Sequence, residues 1–556
     1  MSGSAASNIA AEALFSRAFE ALRTRRPLRN PRLREASLAL NENRPDVAKQ
    51  LLSKFLEKHP RDIDAMNLMA EAAMRENRKL DAEMLLAECV ERSPDFDAAR
   101  FNYANALHGM NNPAEALQQV QRLLGKEPRN PLYLDLKAVV LAAMGNHQDA
   151  LICRRELADD FPGSARVLVN YAQALRTMGM GEECIAAYRE AIGISPSLGT
   201  AWWGLANLKT YRFTTPEIDQ MKAQLESGDL SAIDRTHLLF ALGKAYGDLE
   251  FYSESFDAYA RANAARRLDA NYNPGVASAH VRKARTLFTG PFFRNRAAAG
   301  CTEADPIFIV GMQRAGSTLV EQILACHSAV ESAGELPNIR FLARHLEDRV
   351  APEHGSDYPG ILGKLDDAAL RGLGEKYLES TRIRRRLGRR FFVDKEPFNF
   401  WHVGLIQLIL PNARIIDVRR HPLGCCFSNF TTIFLHALPL TQRLADLGRY
   451  YADYVELMAH FDRVLPGKVH RVFYEDLVAA SETEIRRLLD HLQLPFEEAC
   501  IHFYRSGRAV NSASSEQVRS PIFTEALDRW RHYEPWLGPL KAALGPVLAA
   551  YPGVPE

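Results

Sequence analysis

The stretch "PIFIVGMQRAGSTLVEQIL", Pro306 to Leu324, is the most informative segment in the second half of this chain. An apolar run that predicts a buried strand is followed by a loop with glycines at both ends, and then by a helix pattern. The N–H groups of such a loop and the N-terminus of the next helix form a nest for an oxyanion. The nucleotide-binding pattern GxxxxGK[ST] has a lysine after its second glycine, where Ser317 stands here. The stretch therefore predicts an anion-binding loop without the lysine that serves a nucleoside triphosphate.

The C-terminal half predicts an α/β domain with a mostly parallel sheet over residues 305–545, followed by a tail over residues 546–556. Short apolar runs alternate with helical stretches of ten or more residues, which is typical of βαβ units. Ligands of such sheets bind beyond the carboxyl ends of the strands, so the residues after each run are candidates for a site. The runs are "PIFIV", "RFFVD", "ARIIDV" and "VHRVFYE".

Two of these strand ends carry single cations suited to an anionic ligand. In the first loop Arg314 is the only fixed cation, and the hydroxyls of Ser317 and Thr318 add donors to the nest. After "FFVD", Lys395 is placed to neutralise charge that develops on a leaving oxygen. Both residues are expected to point into the same crevice.

A third strand end carries a pair of arginines. After "ARIIDV", Arg419 and Arg420 stand beside the start of a helix that contains Ser428. Guanidinium groups bind phosphate through two parallel hydrogen bonds, so the pair predicts a phosphate site. "RIIDV" also fits the magnesium-binding aspartate of a nucleoside triphosphatase. The missing loop lysine makes that interpretation the less favoured one.

The N-terminal half is a repeat array over residues 29–198. Three series of residues recur every 34 positions, which is the period of the tetratricopeptide helix–turn–helix unit. Small residues suit the closest approach of two helices, and a proline stops the second helix of each unit. The sequence therefore predicts an all-α solenoid, whose concave surface is suited to peptides or partner proteins. The series are Pro60, Pro94, Pro128, Pro162 and Pro196; Ala36, Ala70, Ala104, Ala138, Ala172 and Ala206; and Ala48, Ala82, Ala116, Ala150 with Cys184.

The pattern is looser on either side of the array. Residues 1–28 are interpreted as a helical lead-in, residues 199–268 as divergent repeats or a cap, and residues 269–304 as a connector. The chain is thus expected to be a multi-domain protein. The array either binds protein partners or only supports a homodimer and the stability of the second domain, and the sequence leaves both open.

Composition limits the other partners. Hydrophobic residues make up 47% and charged residues 25% of the 556 positions, and the net charge is +1, so nucleic acid and membranes are not expected partners. The start lacks a basic segment ahead of an apolar run, and no window approaches the roughly 20 apolar residues of a membrane helix, which predicts a cytoplasmic protein. The eight cysteines are scattered without a CxxC pair, which favours free thiols over disulfides or zinc.

Taken in order, these segments resemble the sulfotransferases that use 3′-phosphoadenosine 5′-phosphosulfate (PAPS). The resemblance is to the branch with an N-terminal tetratricopeptide array, whose catalytic domain also looks like the tyrosylprotein sulfotransferases. The loop "QRAGST" is similar to the family's P[RK]SGTT loop and departs from it at Gln313, Ala315 and Ser317. Other matching segments are "DKEPF", an arginine followed eight residues later by a serine, "FYEDL", and "QVRSPIFTEALDRWRHYEPWL" from Gln517 to Leu537.

The resemblance implies a donor site without a metal, because this family's transfer needs no magnesium and PAPS has no γ-phosphate. The loop would hold the 5′-phosphosulfate, Arg420 with Ser428 would hold the 3′-phosphate, and the last two segments would lie near the nucleotide. The implied donor-binding residues are Arg314, Ala315, Gly316, Ser317, Thr318, Arg420, Ser428, Tyr474, Gln517 and Arg519.

The same resemblance implies the catalytic residues. Lys395, with Arg314, would stabilise the leaving oxygen, and Glu335 in a "GE" segment would take the acceptor proton. The tyrosine-directed enzymes have a second glutamate at the position of Leu336. Because a leucine side chain cannot take a proton, Glu335 is preferred as the base. His327 and His421 are rival bases.

The acceptor stays open between a protein or peptide, for example one that offers a tyrosine hydroxyl, and a small hydroxyl compound. Two other classes of function are alternatives. One is a P-loop kinase or nucleoside triphosphatase, which the glycine spacing favours. The other is a tetratricopeptide scaffold whose sulfotransferase-like domain is inactive.

Overall fold

The computed structural model describes residues 18, 22, 27–228, 230–267, 272–350, 358–434, 438–512, 514–522, 524 and 527–554, with backbone alone at residues 267 and 348–350. The chain forms two compact units. One comprises residues 1–175 and 182–195, and the other comprises residues 176–181 and 196–556. The predicted lead-in falls almost wholly outside the described residues, as do residues 269–271 of the predicted connector and 555–556 of the predicted tail.

The first unit is built from short helices, and from α1 to α8 each helix packs against the next. Asn30, Asp62, Asn112 and Asn130 cap the N-termini of four of these helices, each accepting from a backbone N–H of the first turn. The helices of the array are α1 Pro31–Asn41, α2 Pro45–Leu56, α3 Ile63–Arg75, α4 Lys79–Arg92, α5 Asp97–Gly109, α6 Pro113–Lys126, α7 Pro131–Ala143, α8 His147–Asp160, α9 Ala165–Met178 and α10 Gly181–Ile194.

The repeat is visible in the backbone as well as in the side chains. The turn inside each pair of helices contains a residue with a positive φ, and this position recurs every 34 residues as asparagine or glycine. A left-handed residue closes the end of a helix, and asparagine and glycine tolerate that conformation best. The alanines of the sequence series are fully buried between helices, so a larger side chain there would overpack the array. The left-handed residues are Asn43, Asn77, Asn111, Gly145 and Gly179.

The second unit begins with a further group of helices. Asp234 accepts a hydrogen bond from the Gly199 N–H at 3.0 Å, which ties the start of α11 to the start of α13. A capping box of Thr214 and Glu217 starts α12. These helices are α11 Gly199–Asn207, α12 Thr215–Glu226, α13 Ala232–Asp248, α14 Tyr252–Arg267, α15 Pro274–Leu287 and α16 Gly290–Arg294.

A five-stranded parallel sheet forms the centre of the second unit. In the described residues its order is β2-β3-β1-β4-β5, so β1 is central, with β3 on one side and β4 on the other. The strands alternate with helices, as predicted for βαβ units. The chain moves to one side of β1 for β2 and β3 and to the other for β4, which places a topological switch beside β1. The strands are β1 Pro306–Gly311, β2 Val330–Gly334, β3 Phe391–Asp394, β4 Arg414–Arg419 and β5 Val469–Phe473.

The edge strand β2 was not among the predicted apolar runs. Its Glu331 and Ser332 interrupt the hydrophobic pattern, and Glu331 accepts from the Leu387 N–H at 2.8 Å and from Arg385 at 3.4 Å. These donors satisfy the buried carboxylate of Glu331, which is why a charged residue is tolerated in this strand. The strand matters for the site, since it ends directly before Glu335.

The remaining helices cover the sheet and complete the second unit. The predicted tail contains α26 and is packed, because Tyr551 after it donates to Glu475 and lies edge-on to His421. No described helix has the length and apolar content needed to cross a bilayer. The helices are α17 Ser317–Ala325, α18 Asn338–Val350, α19 Asp367–Thr381, α20 Val403–Ile409, α21 Pro422–Phe430, α22 Leu444–Val464, α23 Tyr474–Ala479, α24 Ser481–His491, α25 Gly538–Leu544 and α26 Pro546–Ala550.

Candidate active site

Two glycines shape the loop between β1 and α17. Gly311 has a φ of 139°, and a Cβ there would lie 2.4 Å from the Val418 carbonyl oxygen of the neighbouring strand. Gly316, the N-cap of α17, has a φ of 105°, and a Cβ there would lie 2.5 Å from the Tyr474 ring. Both positions therefore need glycine for conformation and for space. The loop consequently lies tightly between β4 and Tyr474.

Arg314 occupies the centre of this loop in a left-handed conformation, with a φ of 65°. Its guanidinium donates to Ser428 Oγ at 3.1 Å, to Gln517 Oε1 at 3.3 Å and to Ser514 Oγ. All three partners are neutral, so the positive charge is oriented but not neutralised. Burial, and then the charge of Arg420, lower the pKa of Arg314 to about 10. The guanidinium still stays charged at neutral pH, so a bound anion would stabilise it.

Arg420 supports the same loop from β4. Its guanidinium donates to the Arg314 carbonyl oxygen at 3.3 Å and lies 4.9 Å from the centre of the Tyr474 ring. The ring face attracts the cation and holds it beside the loop. Two arginines from different strand ends thus converge at the switch point of the sheet. This placement suits an anion with more than one charged group.

The expectation that Arg419 shares this site is wrong. Arg419 donates to Asp417 at 3.1 Å and lies 5.3 Å from the centre of the Tyr454 ring, in the core. Asp417 also accepts from Arg471 at 3.0 Å and from the Tyr454 hydroxyl. The reason is the two-residue period of a strand, which puts residues 417 and 419 on one face. With three protein donors, Asp417 is also poorly placed to serve as a magnesium-binding aspartate.

The hydroxyls and carbonyls of the loop are held by side chains from elsewhere in the second unit. Ser317 and Thr318 are buried, and Thr318 donates to Ser512 Oγ at 3.3 Å. The Gln313 carbonyl oxygen accepts from Asn429 at 2.8 Å and from the Cys425 thiol at 3.3 Å. These contacts fix the backbone of the nest, whatever side chain stands at position 313.

Lys395 and Glu335 meet at the same edge of the sheet. Lys395, directly after β3, is only 2% exposed, and its ammonium donates to Glu335 and lies 3.7 Å from Glu321. Glu335, directly after β2, is 48% exposed. The lysine is therefore fixed inside the protein, while the carboxylate that it contacts can be reached from solvent.

The local charges keep Lys395 protonated. Burial alone lowers the pKa of Lys395, but the charges of Glu335 and Glu321 outweigh it and raise the pKa above its usual value. The neighbouring carboxyls behave differently, because burial raises the pKa of Asp394 and of Glu396. Lys395 is thus a charged lysine surrounded by carboxyl groups. Among these carboxyl groups, Glu335 is the well-exposed one.

The two histidines proposed as rival bases have other partners. His327 is buried, and its Nε2 lies 3.0 Å from the Pro495 carbonyl oxygen. The His421 ring is stacked on Trp530 at 4.9 Å between ring centres, and burial lowers its pKa. His421 is enclosed between two aromatic rings, because Tyr551 covers it edge-on. These contacts give both histidines structural roles.

The structure brings all but one of the predicted site residues together. Arg519 directs its guanidinium to the Thr177 carbonyl oxygen at 2.9 Å, and it lies where a Cβ on Gly179 would stand. It is therefore used to hold residues 176–181 of the second unit, and a role in donor binding stays a prediction. The loop cluster joins Arg314, Ala315, Gly316, Ser317, Thr318, Arg420, Ser428, Tyr474 and Gln517, and the Lys395–Glu335 pair stands beside β1 at the neighbouring strand ends.

Sequence reasoning missed four side chains of the site: Ser512, Ser514, Asn429 and Glu321. Asn429 and Glu321 lie inside helices that follow strand ends, at positions that carry no motif. The serines stand in the segment "NSASSEQV", whose five closely spaced hydroxyl and amide residues are a signal for polar contacts. That segment lies about 200 residues from Arg314 along the chain, so only the folded chain shows the pairing.

Comparison with known proteins gives the class of each part. Residues 306–498 match the sulfotransferase family, and residues 80–140 and 165–198 match tetratricopeptide repeat families. The resemblance found in the sequence is therefore confirmed, as is the fold: a tetratricopeptide solenoid precedes a parallel-sheet domain, within which residues 306–498 match the sulfotransferase family. The serines of the "NSASSEQV" segment lie beyond the matched region.

Individual relatives are distant. An uncharacterized protein of Aquifex aeolicus (strain VF5) is 27% identical over 458 residues, which are 81% of this chain and 60% of that protein. Protein-tyrosine sulfotransferase 1 of Danio rerio is 24% identical over 281 residues, which are 48% of this chain and 75% of that protein. The sulfotransferase domain of the Synechococcus PCC 7002 olefin synthase is 19% identical with a TM-score of 0.31, over 41% of this chain and 88% of that domain.

Proposed function

We propose that this protein is a sulfotransferase that moves the sulfuryl group of PAPS to an acceptor hydroxyl. The observation that carries the proposal is the contact between the enclosed ammonium of Lys395 and the accessible carboxylate of Glu335 at the edge of the sheet. A cation and a base at adjacent strand ends, next to an anion-binding loop, are what an in-line transfer between two oxygens requires.

The donor fits the charges of the loop. Arg314 and Arg420 lie side by side, and Arg314 has only neutral partners among the described residues. The nest after β1 receives the 5′-phosphosulfate, and Arg420 with Ser428 receives the 3′-phosphate. Neither group requires the lysine that the loop lacks. Tyr474, packed against Gly316, closes this side of the site.

In the proposed mechanism Glu335 accepts the proton of the acceptor hydroxyl as its oxygen attacks sulfur. A new S–O bond to the acceptor forms while the S–O bond to the 5′-phosphate breaks, and 3′,5′-diphosphoadenosine leaves. Lys395 stabilises the negative charge on the former bridging oxygen. The transition state is loose, so the fixed position of Lys395 contributes more than acid–base strength.

The proposed acceptor is a tyrosine of a protein or peptide. Several relatives carry the name protein-tyrosine sulfotransferase, among them those of Danio rerio and Caenorhabditis elegans. Tetratricopeptide arrays present surfaces to protein partners, which favours a macromolecular acceptor over a small hydroxyl compound. The half-exposed carboxylate of Glu335 is compatible with an acceptor that arrives as part of a chain.

The kinase or triphosphatase alternative has less support. Asp417, the residue that would bind magnesium, accepts from Arg419, Arg471 and Tyr454. Without Asp417 the buried guanidinium of Arg419 would lose its carboxylate, so the cluster gives Asp417 a structural role.

Calorimetric titration of the full chain with 3′,5′-diphosphoadenosine, compared with ATP and magnesium, tests the donor. Tight binding without metal is expected, followed by transfer of labelled sulfuryl from PAPS to a tyrosine peptide. Preference for ATP with magnesium would overturn the proposal in favour of a kinase. Donor binding without transfer to tyrosine, but with transfer to a small phenol, would retain the sulfotransferase and change the acceptor.

A further inference from the structure

The end of β2 is irregular directly before Glu335, the candidate base. Ser332 and Gly334 lie opposite consecutive residues of β3, so Ala333 is an extra residue on β2. Residues 332–334 therefore form a bulge. Bulges are common at sheet edges and beside active sites, where they re-aim the side chains that follow them. The side chain that follows this bulge is that of Glu335.

Two side chains on either side of the bulge converge on one place. Ser332 Oγ donates to Glu321 Oε1 at 2.5 Å. The Glu335 carboxylate contacts the Lys395 ammonium, which lies 3.7 Å from Glu321 Oε2. Residues 332 and 335 are three positions apart, and a regular strand would direct their side chains to opposite faces. The bulge therefore accounts for the meeting of Glu335 with Lys395.

Ser332 holds the bulge through a second hydrogen bond. Its hydroxyl oxygen accepts from the Gly334 N–H at 3.0 Å, across the extra residue. The Gly334 carbonyl oxygen accepts from the Lys395 N–H at 2.9 Å. Gly334 has a φ of 77°, a left-handed conformation that glycine adopts without steric cost. The peptide groups on both sides of Gly334 are thus fixed, and they set the direction in which Glu335 leaves the strand.

Glu321 anchors Ser332 from the helix that follows the donor loop. It is buried on α17, four residues after Ser317. One of its carboxylate oxygens accepts from Ser332, and the other faces the Lys395 ammonium, whose charge offsets the burial of the carboxylate. A single buried side chain thus holds Lys395 directly and Glu335 through Ser332.

We infer that Ser332, anchored by Glu321, is a positioning residue of the transfer reaction, which acts by fixing the direction of Glu335. This inference rests on the proposed function and extends it, because it gives a role to a strand residue that belongs to no motif. Without the hydroxyl, the Gly334 N–H loses its acceptor and the bulge can relax. Glu335 then moves relative to the attacking oxygen, and a displacement of about 1 Å costs about 10²-fold in rate.

The test compares Ser332→Ala and Ser332→Thr with the control Ser278→Ala, all in the full chain. The Ser278 hydroxyl also donates to a carboxylate, that of Asp453 at 2.9 Å, between α15 and α22. Ser332→Ala should lower kcat by about 10- to 100-fold and leave 3′,5′-diphosphoadenosine binding unchanged. Ser332→Thr keeps a hydroxyl and should retain most of kcat. Ser278→Ala should have the kcat of the wild type, although it loses the same kind of hydrogen bond.

A double-variant cycle separates positioning from a general loss of stability. If Ser332 acts through Glu335, adding Ser332→Ala to Glu335→Gln should lower the residual rate by about twofold at most. A full loss in that background, or wild-type kcat in Ser332→Ala, would overturn the inference. Equal losses of kcat in Ser332→Ala and Ser278→Ala would overturn it as well, because the effect would then be one of stability.

Hydrogen exchange tests the contact without turnover. The Gly334 amide should exchange faster in Ser332→Ala than in the wild type, because it has lost its acceptor. An unchanged exchange rate would show that Ser332 does not hold the bulge. If the wild type transfers no sulfuryl group from PAPS, the proposed function fails, which is a distinct result, and the exchange comparison still decides whether Ser332 holds the bulge.

Discussion

The ammonium of Lys395 contacts the carboxylate of Glu335 across the carboxyl edge of the sheet, although the two residues are 60 positions apart in the chain. The contact exists because β2 and β3 are parallel neighbours, so that the residues that follow them emerge together. One partner is enclosed and the other is half exposed, which gives them different chemical tasks. Each task can be tested separately.

Glu335→Gln should lower the rate of sulfuryl transfer by about 10²- to 10⁴-fold, because the amide cannot take the acceptor proton. Binding of 3′,5′-diphosphoadenosine should be unchanged, since Glu335 is not in the donor loop. Transfer assays and calorimetry check the two statements. Glu375→Gln, on the exposed face of α19, is the matched control. Full activity of Glu335→Gln would remove this residue as the base.

Lys395→Met should abolish transfer and also destabilise the second unit, because Glu321 would then be buried without its cation. The expected loss of stability is about 3 kcal/mol. The double variant Lys395→Met with Glu321→Gln should recover most of the stability but none of the activity. Thermal denaturation and transfer assays on both variants check this. Recovery of activity in the double variant would show that Lys395 acts only through folding.

Arg420→Ala should weaken 3′,5′-diphosphoadenosine binding by about 10- to 100-fold, because a charge-assisted contact is lost and the loop loses its donor to the Arg314 carbonyl. Arg261→Ala is the control, since Arg261 pairs with Asp257 on the surface of α14. Calorimetry at one fixed salt concentration is the measurement. Equal affinities for the two variants would place the 3′-phosphate elsewhere.

Asp394→Asn should stabilise the protein at neutral pH. Burial raises the pKa of Asp394 in the folded state well above its value in the unfolded chain. At pH values between these two pKa values, the Asp394 carboxyl is protonated in the folded state and ionised in the unfolded state. The free energy of unfolding of the wild type therefore falls as pH rises through this interval, by about 1.4 kcal/mol per unit of pKa shift.

The asparagine variant lacks that dependence and can still accept from the Tyr377 hydroxyl, which lies 2.8 Å from Asp394. Melting temperatures measured between pH 5 and 8 should diverge as pH rises. Asp490→Asn, on the exposed surface of α24, should follow the wild type. Parallel pH profiles of Asp394→Asn and the wild type would show that Asp394 is charged in the folded protein.

Several parts of the structure could be predicted because their signals are local. The 34-residue period predicts the helix pairs, and the strand–loop–helix pattern around Arg314 predicts the loop between β1 and α17. The core position of Arg419 could also have been predicted from the sequence. Its two-residue spacing from Asp417 puts both side chains on one face of β4.

The strand β2 was harder to predict, because Glu331 and Ser332 break its apolar pattern. Without that strand, the sequence offered no reason to bring Glu335 and Lys395 into contact. The resemblance suggested both residues, and the parallel pairing of β2 with β3 explains why they meet.

Local patterns in the sequence predict the repeat array, the α/β class of the second domain, and a glycine-bounded loop that lacks the lysine of nucleoside triphosphatases. Only the folded chain shows which charges share a site: Arg420 rather than Arg419 lies beside Arg314, and Glu335 lies beside Lys395. The physical reason is that periodicity and turn chemistry act between near neighbours in the chain. The electrostatics of a site depend instead on side chains that parallel crossovers and helix packing bring together from distant positions.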